Sequence, residues 1–130
     1  MARSNPLKKV YDHFGNNLQA AELAVEALVL EFYKRMAADP MLNHFFIGKN
    51  LESVAHKQTE FLLKSMGAPR VYLGRPPARA HDDLPPILEG HFKRRIVLLR
   101  SLLEERGLPR PVIDAWINFE QAFYSVIVKK

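Results

Sequence analysis

The chain has 130 residues, 48% of them apolar and 25% charged, with a net charge of +5. That content can bury a core and fits one folded domain over residues 1–130 rather than a disordered chain. The absence of cysteine excludes disulfide frameworks, thiolate zinc sites, iron–sulfur clusters and cysteine nucleophiles, leaving His, carboxylate or an organic cofactor to hold any metal.

No apolar run approaches the ~18 residues of a membrane span. No apolar stretch follows the basic N-terminus to act as a secretory signal, and positive charge alone is no nucleic-acid signature. The expectation is a cytoplasmic protein, a monomer or weak oligomer, without a membrane or nucleic-acid partner.

Residues 1–15 read as an N-terminal extension with a short first helix. From Asn17 to Ala38 the residues Leu18, Ala21, Val25, Leu28, Phe32 and Met36 recur at three- and four-residue steps, which predicts a long helix. Asn16 with Gln19 is its expected capping pair, and Asp39-Pro40 its stop. A turn is expected at Ile47-Gly48-Lys49-Asn50. Asn50 then caps a second long helix through Leu51, Val54, Ala55, Gln58, Phe61 and Leu62 to Met66, closed by Gly67. Residues 67–86 hold too many Gly and Pro residues for more than a short helix near Ala78 to Leu84. A third long helix is predicted from Pro86 to Gly107, and a fourth from Pro111 to the C-terminus. Nothing alternates with period two long enough to require a sheet, so the fold class is all-α.

Three polar residues interrupt this apolar pattern: Tyr33 near the end of the first long helix, Gln58 within the second, and His81 in the breaker-rich segment. A phenol, an amide and an imidazole facing a space with Phe45 and Phe46 nearby would make an apolar pocket with few polar contacts, the usual construction of a cofactor site. Each residue taken singly also has an ordinary reading: a loop histidine, a core tyrosine, a boundary glutamine.

The order and spacing of Phe32-Tyr33, Asp39-Pro40, Leu42, Phe45-Phe46, Gly48, Gln58, Phe61, Gly67, Tyr72-Leu73-Gly74, Ala80-His81 and His91-Phe92 resembles the truncated haemoglobins, most closely their group 1. The similarity runs from about Tyr11 to Val126. It implies a shortened globin fold, a two-over-two helical sandwich enclosing haem b (protohaem and its iron). His81 falls at the proximal position, as axial ligand of the iron. Tyr33 and Gln58 match a distal pair that hydrogen-bonds the bound gas, while Val54 takes the place of the distal histidine of ordinary globins. Phe46 matches the aromatic residue against the porphyrin face. Phe32, Phe45, Phe61, Leu62 and Phe92 complete the expected apolar pocket.

For the haem propionates the first candidate is Lys57, followed by Tyr72, Arg75, Arg79 and Lys49. His44 and His56 are the two candidates for an internal sixth ligand of the iron. Trp116 reads as core, and the run Lys93-Arg94-Arg95 as a solvated face. Where group members carry glycine pairs, this chain has Gly15-Asn16 and Gly67-Ala68, and its proximal stretch carries Pro76-Pro77 and Pro85-Pro86.

The implied function is reversible binding of dioxygen, or of another diatomic gas, to ferrous haem. An enzymatic alternative is nitric oxide dioxygenation with an electron-donating reductase, or a peroxidase-like side activity. A haem-free globin-fold sensor or interaction module is the third reading.

Overall fold

The computed structural model describes residues 7–67 and 85–128. Among the described residues six helices appear in order: α1 (Lys8–His13), α2 (Leu18–Ala38), α3 (Leu51–Ser65), α4 (Glu89–Glu105), α5 (Arg110–Gln121) and α6 (Tyr124–Ile127), with a 3₁₀ turn at Asn43–Phe45 between α2 and α3. No strand occurs among the described residues. α2 packs on α3 and α4 packs on α5; α2 also meets α4, joining the two pairs, and α1 lies against α5. The possible short helix near Ala78 to Leu84 lies outside the described residues.

The apolar period of α2 is realised as read: Ala21, Val25, Leu28, Phe32 and Met36 are buried, with Val29 beside them. Its cap is displaced by one residue. The Asn17 side chain, not that of Asn16, accepts the Ala20 N–H at 3.0 Å. Asn16 is instead held at φ 50°, directly after Gly15 at φ 95°. Asparagine is among the few non-glycine residues that visit the left-handed region readily, so it takes up a turn that would otherwise favour a second glycine.

Asn50 caps α3 as expected, its side chain accepting the Ser53 N–H at 3.0 Å. Two hydroxyls inside α3 bond backward by one turn: Thr59 Oγ1 donates to the Ala55 carbonyl at 2.7 Å and Ser65 Oγ to the Phe61 carbonyl at 2.8 Å.

α4 begins at Glu89, not at Pro86. The extended Leu88 precedes it, and its N–H donates to Nδ1 of His91 at 3.0 Å. The histidine at the third helical position thus takes the part that Glu or Gln plays in a capping box, which requires Nδ1 to be unprotonated. α4 ends in a Schellman turn, with Leu108 N–H donating to Leu103 O and Gly107 N–H to Glu104 O. The fourth long helix is not continuous to the C-terminus. α5 stops at Gln121, and a break at Ala122–Phe123 leads into the single turn of α6.

The core runs through every interface: Val10, Val25, Phe32, Leu62, Leu99, Leu102 and Ile117 are among its buried members. Trp116 is buried, as its core reading requires. Two ion pairs fasten α2 to α4 at the rim of this core. Arg35 binds Glu105 in a fork, at 2.7 and 3.2 Å, and also reaches Glu31 on its own helix. Arg94 grips Oδ2 of Asp39 through Nε at 2.8 Å, while Asp39 Oδ1 accepts the Met41 N–H at 2.9 Å.

The hydrogen bond from Arg94 holds the Asp39 carboxyl below the usual carboxylate range, against the opposing effect of desolvation. A depressed pKa means a contribution present above the unfolded-state value of about 3.9 and lost as pH falls through the lower folded-state value. Asp39→Asn should therefore lower stability at neutral pH and flatten the loss of stability below about pH 4. Urea unfolding at a series of pH values checks this; parallel curves for the two proteins would assign the pair no role.

Candidate functional site

α3 carries two neighbouring rows of side chains. Ala55, Thr59, Leu62 and Leu63 are buried in the core, whereas Val54, Gln58 and Phe61, at three- and four-residue steps, are only half-buried. The second row is therefore a partly open face rather than part of the packed interior. Phe61 at its end meets two aromatic rings at the end of the α5 segment, Phe119 at 6.0 Å and Phe123 at 5.8 Å between centroids.

On α2, Phe32 is buried while Tyr33 is half-buried, and the Tyr33 ring lies edge-on to Phe46 at 5.7 Å. Phe45 is turned into the core, with Phe46 half-buried beside it. Phe92, on α4, is buried against the Tyr124 ring at 5.3 Å. Leu62 belongs to the core row of α3 rather than to the open row. Lys49 and Lys57 are exposed, the latter one residue before Gln58. His81, Tyr72, Arg75 and Arg79 lie outside the described residues.

Of the two histidines considered as internal iron ligands, His56 pairs with carboxylates and His44 lies beside two rings. His56 is half exposed, with Nδ1 3.0 Å from Glu26 and Nε2 3.1 Å from Glu60, so both ring nitrogens face carboxylates. The exposed His44 ring lies 4.0 Å from the Phe45 ring and 5.3 Å from that of His91, between centroids.

The structure corrects the reading of Lys93-Arg94-Arg95 as a uniformly solvated face. Arg94 is bound to Asp39, and Arg95 turns inward to pair with Glu120 of α5. The Glu120 side chain is 7% exposed and that of Arg95 22%. The Arg95 guanidinium sits 5.0 Å from the Phe32 ring centroid. Burial works against the Arg95 cation, yet the adjacent Glu120 carboxylate and the Tyr33 oxygen outweigh it and hold its proton above the ordinary arginine range. Neither Arg95 nor Glu120 was singled out from the sequence. The available signal was register: Arg95 falls three residues after Phe92 and four before Leu99, and Glu120 four after Trp116, so each charge stands in an apolar row.

These residues fit a flat aromatic cofactor. Half-buried Phe46, Val54, Phe61 and Phe123 offer partly open apolar surface, and polar groups enter it at few points. A surface cleft lined by Lys9, Arg110, Asp114 and Asn118 shares no residue with this wall.

Comparison with known proteins gives the same picture. A family described as bacterial-like globin matches residues 9–127. A group 1 truncated haemoglobin of Mycolicibacterium paratuberculosis is 38% identical over 105 residues, 81% of this chain and 73% of that protein. Another, from Tetrahymena pyriformis, is 32% identical over 114 residues, 88% of this chain and 86% of the relative. The crystal structure of truncated haemoglobin from Tetrahymena pyriformis in its Fe(III) form superposes with a TM-score of 0.78 at 27% identity, covering 93% of this chain and 98% of that one. The 2/2 haemoglobin of Synechococcus, solved in the cyanomet state with covalently attached haem, shares the fold at a TM-score of 0.72 and 24% identity, over 90% and 96% of the two chains. With its helices paired two over two and its sequence matched from α1 to α6, the chain belongs to the bacterial-like globins and, within them, to the group 1 truncated haemoglobins.

Proposed function

We propose that this haem-binding globin binds dioxygen reversibly on ferrous haem, with His81 on the proximal side and Tyr33 and Gln58 on the distal side. Haem as cofactor and a diatomic gas as ligand class follow from the family. The finer reading is carried by one observation: Gln58 stands in the half-buried row of α3 between Val54 and Phe61, while Tyr33 packs on Phe46. An amide and a phenol thus enter otherwise apolar walls.

Haem supplies a redox-active iron at which a gas ligand binds and draws negative charge. The chain's part is to hold, orient and exclude water. Tyr33 O–H and Gln58 N–H donate toward the charge that the ligand acquires, a gain that carbon monoxide obtains much less. Phe46 and Phe61 keep the space apolar, which strengthens each hydrogen bond made inside it. Val54 has no ring nitrogen, so a histidine gate is not expected there.

His81 would hold the haem iron through one nitrogen of a neutral imidazole, and an acceptor for its second nitrogen would fix the tautomer. Exposed Lys57 is the preferred cation for a propionate, with Lys49, Arg75, Arg79 and the Tyr72 hydroxyl as further partners.

The direct test is the absorption spectrum of the purified protein, ferric and then reduced in air. One haem per chain and an oxygenated ferrous form are expected; a protein that takes up no haem would end this reading. His81→Ala should abolish stable haem retention, measured as haem content after gel filtration, whereas normal content and spectrum would move the axial ligand elsewhere.

Tyr33→Phe removes a charge-assisted hydrogen bond worth about 1.5–3 kcal/mol, so dioxygen should leave about 10- to 100-fold faster in stopped-flow measurements. An unchanged release rate would refute the distal assignment of Tyr33.

A further inference from the structure

The gas-binding reading leaves the Arg95–Glu120 pair unused. Its side chains are 22% and 7% exposed, and buried ion pairs are weak stabilisers, because desolvation of both charges consumes most of their mutual attraction. Apolar side chains of similar volume would hold α4 to α5 about as well. What they would not do is place a cation over the Phe32 ring, whose centroid lies 5.0 Å from the guanidinium. The pair therefore joins a third helix, α2, to the two that it links directly.

We propose that Arg95 is a positioning residue for the distal phenol: held by Glu120, it fixes the Phe32 ring, and through that ring the roll of α2 and the place of Tyr33. The proposal rests on the reading of Tyr33 as a distal residue.

The path is a series of contacts. The Phe32 and Tyr33 rings are 5.8 Å apart and tilted by 46°, and the Tyr33 ring meets Phe46 edge-on at 5.7 Å. An aliphatic side chain against Phe32 would touch it without direction and let it slide. A guanidinium is a rigid plane, so anchoring it on a carboxylate leaves one place for the ring beneath it. Glu120 is the anchor, since without it the long Arg95 side chain would carry its charge out to water and leave Phe32. Small movements matter here. A roll of α2 by about 10° carries a side-chain tip ~6 Å from the helix axis through about 1 Å, enough to take an O–H donor out of hydrogen-bond range of a bound gas.

The experiment uses the holoprotein and replaces the pair as a unit, Arg95→Met with Glu120→Leu, which leaves no buried charge behind and is the kind of exchange that commonly preserves stability. Dioxygen release in stopped flow should quicken by about 2- to 10-fold. The C–O stretch of the ferrous carbon monoxide complex, which senses the field of the phenol, should broaden or split as the phenol takes several positions. In a Tyr33→Phe background the same replacement should change neither readout, because an effect carried by the phenol disappears with it. A pair that merely clamps α4 to α5 would act equally in both backgrounds or in neither.

Release or stretch unchanged by the replacement, or changed alike with and without the phenol, overturns the proposal. Should the replaced protein not fold, Arg95→Lys decides. It keeps a cation for Glu120 but has no plane to lay over the ring, so release quickened only where Tyr33 is present supports the proposal, and any other result refutes it. The two levels of inference separate through Tyr33→Phe alone. If that variant releases dioxygen faster while loss of the pair changes nothing, only the positioning role fails. If it has no effect, the distal reading fails, and the positioning role with it.

Discussion

Phe32 and Tyr33 are consecutive residues, and an α-helix turns by about 100° between neighbours. That single constraint lets one stretch of α2 serve two environments, with Phe32 in the core and Tyr33 at the half-buried wall. Everything that fixes the roll of α2 about its axis therefore also aims the phenol. Val25, Leu28, Phe32 and Met36 set that roll from the inside, and the contacts of Arg35 and Asp39 with α4 set it from the rim. A helix free to roll by one residue would exchange a hydroxyl for a phenyl ring at the wall. The precision of the site is thus inherited from ordinary core packing.

α4 packs against both α2 and α5. Its consecutive arginines divide in the same manner as Phe32 and Tyr33. Arg94 reaches back to the C-terminal end of α2, and Arg95 reaches inward to Glu120 of α5. One basic run therefore ties together three helices. A charge run read from sequence as a solvated face can hide an inward-facing member, because a single step along a helix is enough to change the surroundings completely.

The long helices were legible in the sequence because their apolar periods are regular and their stops are marked by Asp39-Pro40, Gly67 and Gly107. Tyr33 and Gln58 stand out in the sequence because a polar residue in an apolar row is conspicuous and their spacing resembles a known family; both are half-buried in the structure. Less was readable where a local turn geometry or a distant partner makes the decision. The choice of Asn17 over Asn16 as cap depends on a left-handed turn at Gly15-Asn16, and the late start of α4 depends on His91 bonding back to Leu88. The Arg95–Glu120 contact spans 25 residues, and periodicity within one helix carries no information about which charge on another will meet it. The break after Gln121 is equally opaque, since no Gly or Pro marks it.

The backward hydroxyl bonds of α3 bear on how the wall is held. The carbonyls of Ala55 and Phe61 each take a side-chain donor, and such bonding commonly bends a helix and slightly weakens it. They bracket the stretch that carries Gln58 and Phe61. A bend imposed by these bonds falls inside α3 itself, where it sets the tilt of the Gln58 and Phe61 side chains relative to the buried row of Thr59 and Leu62.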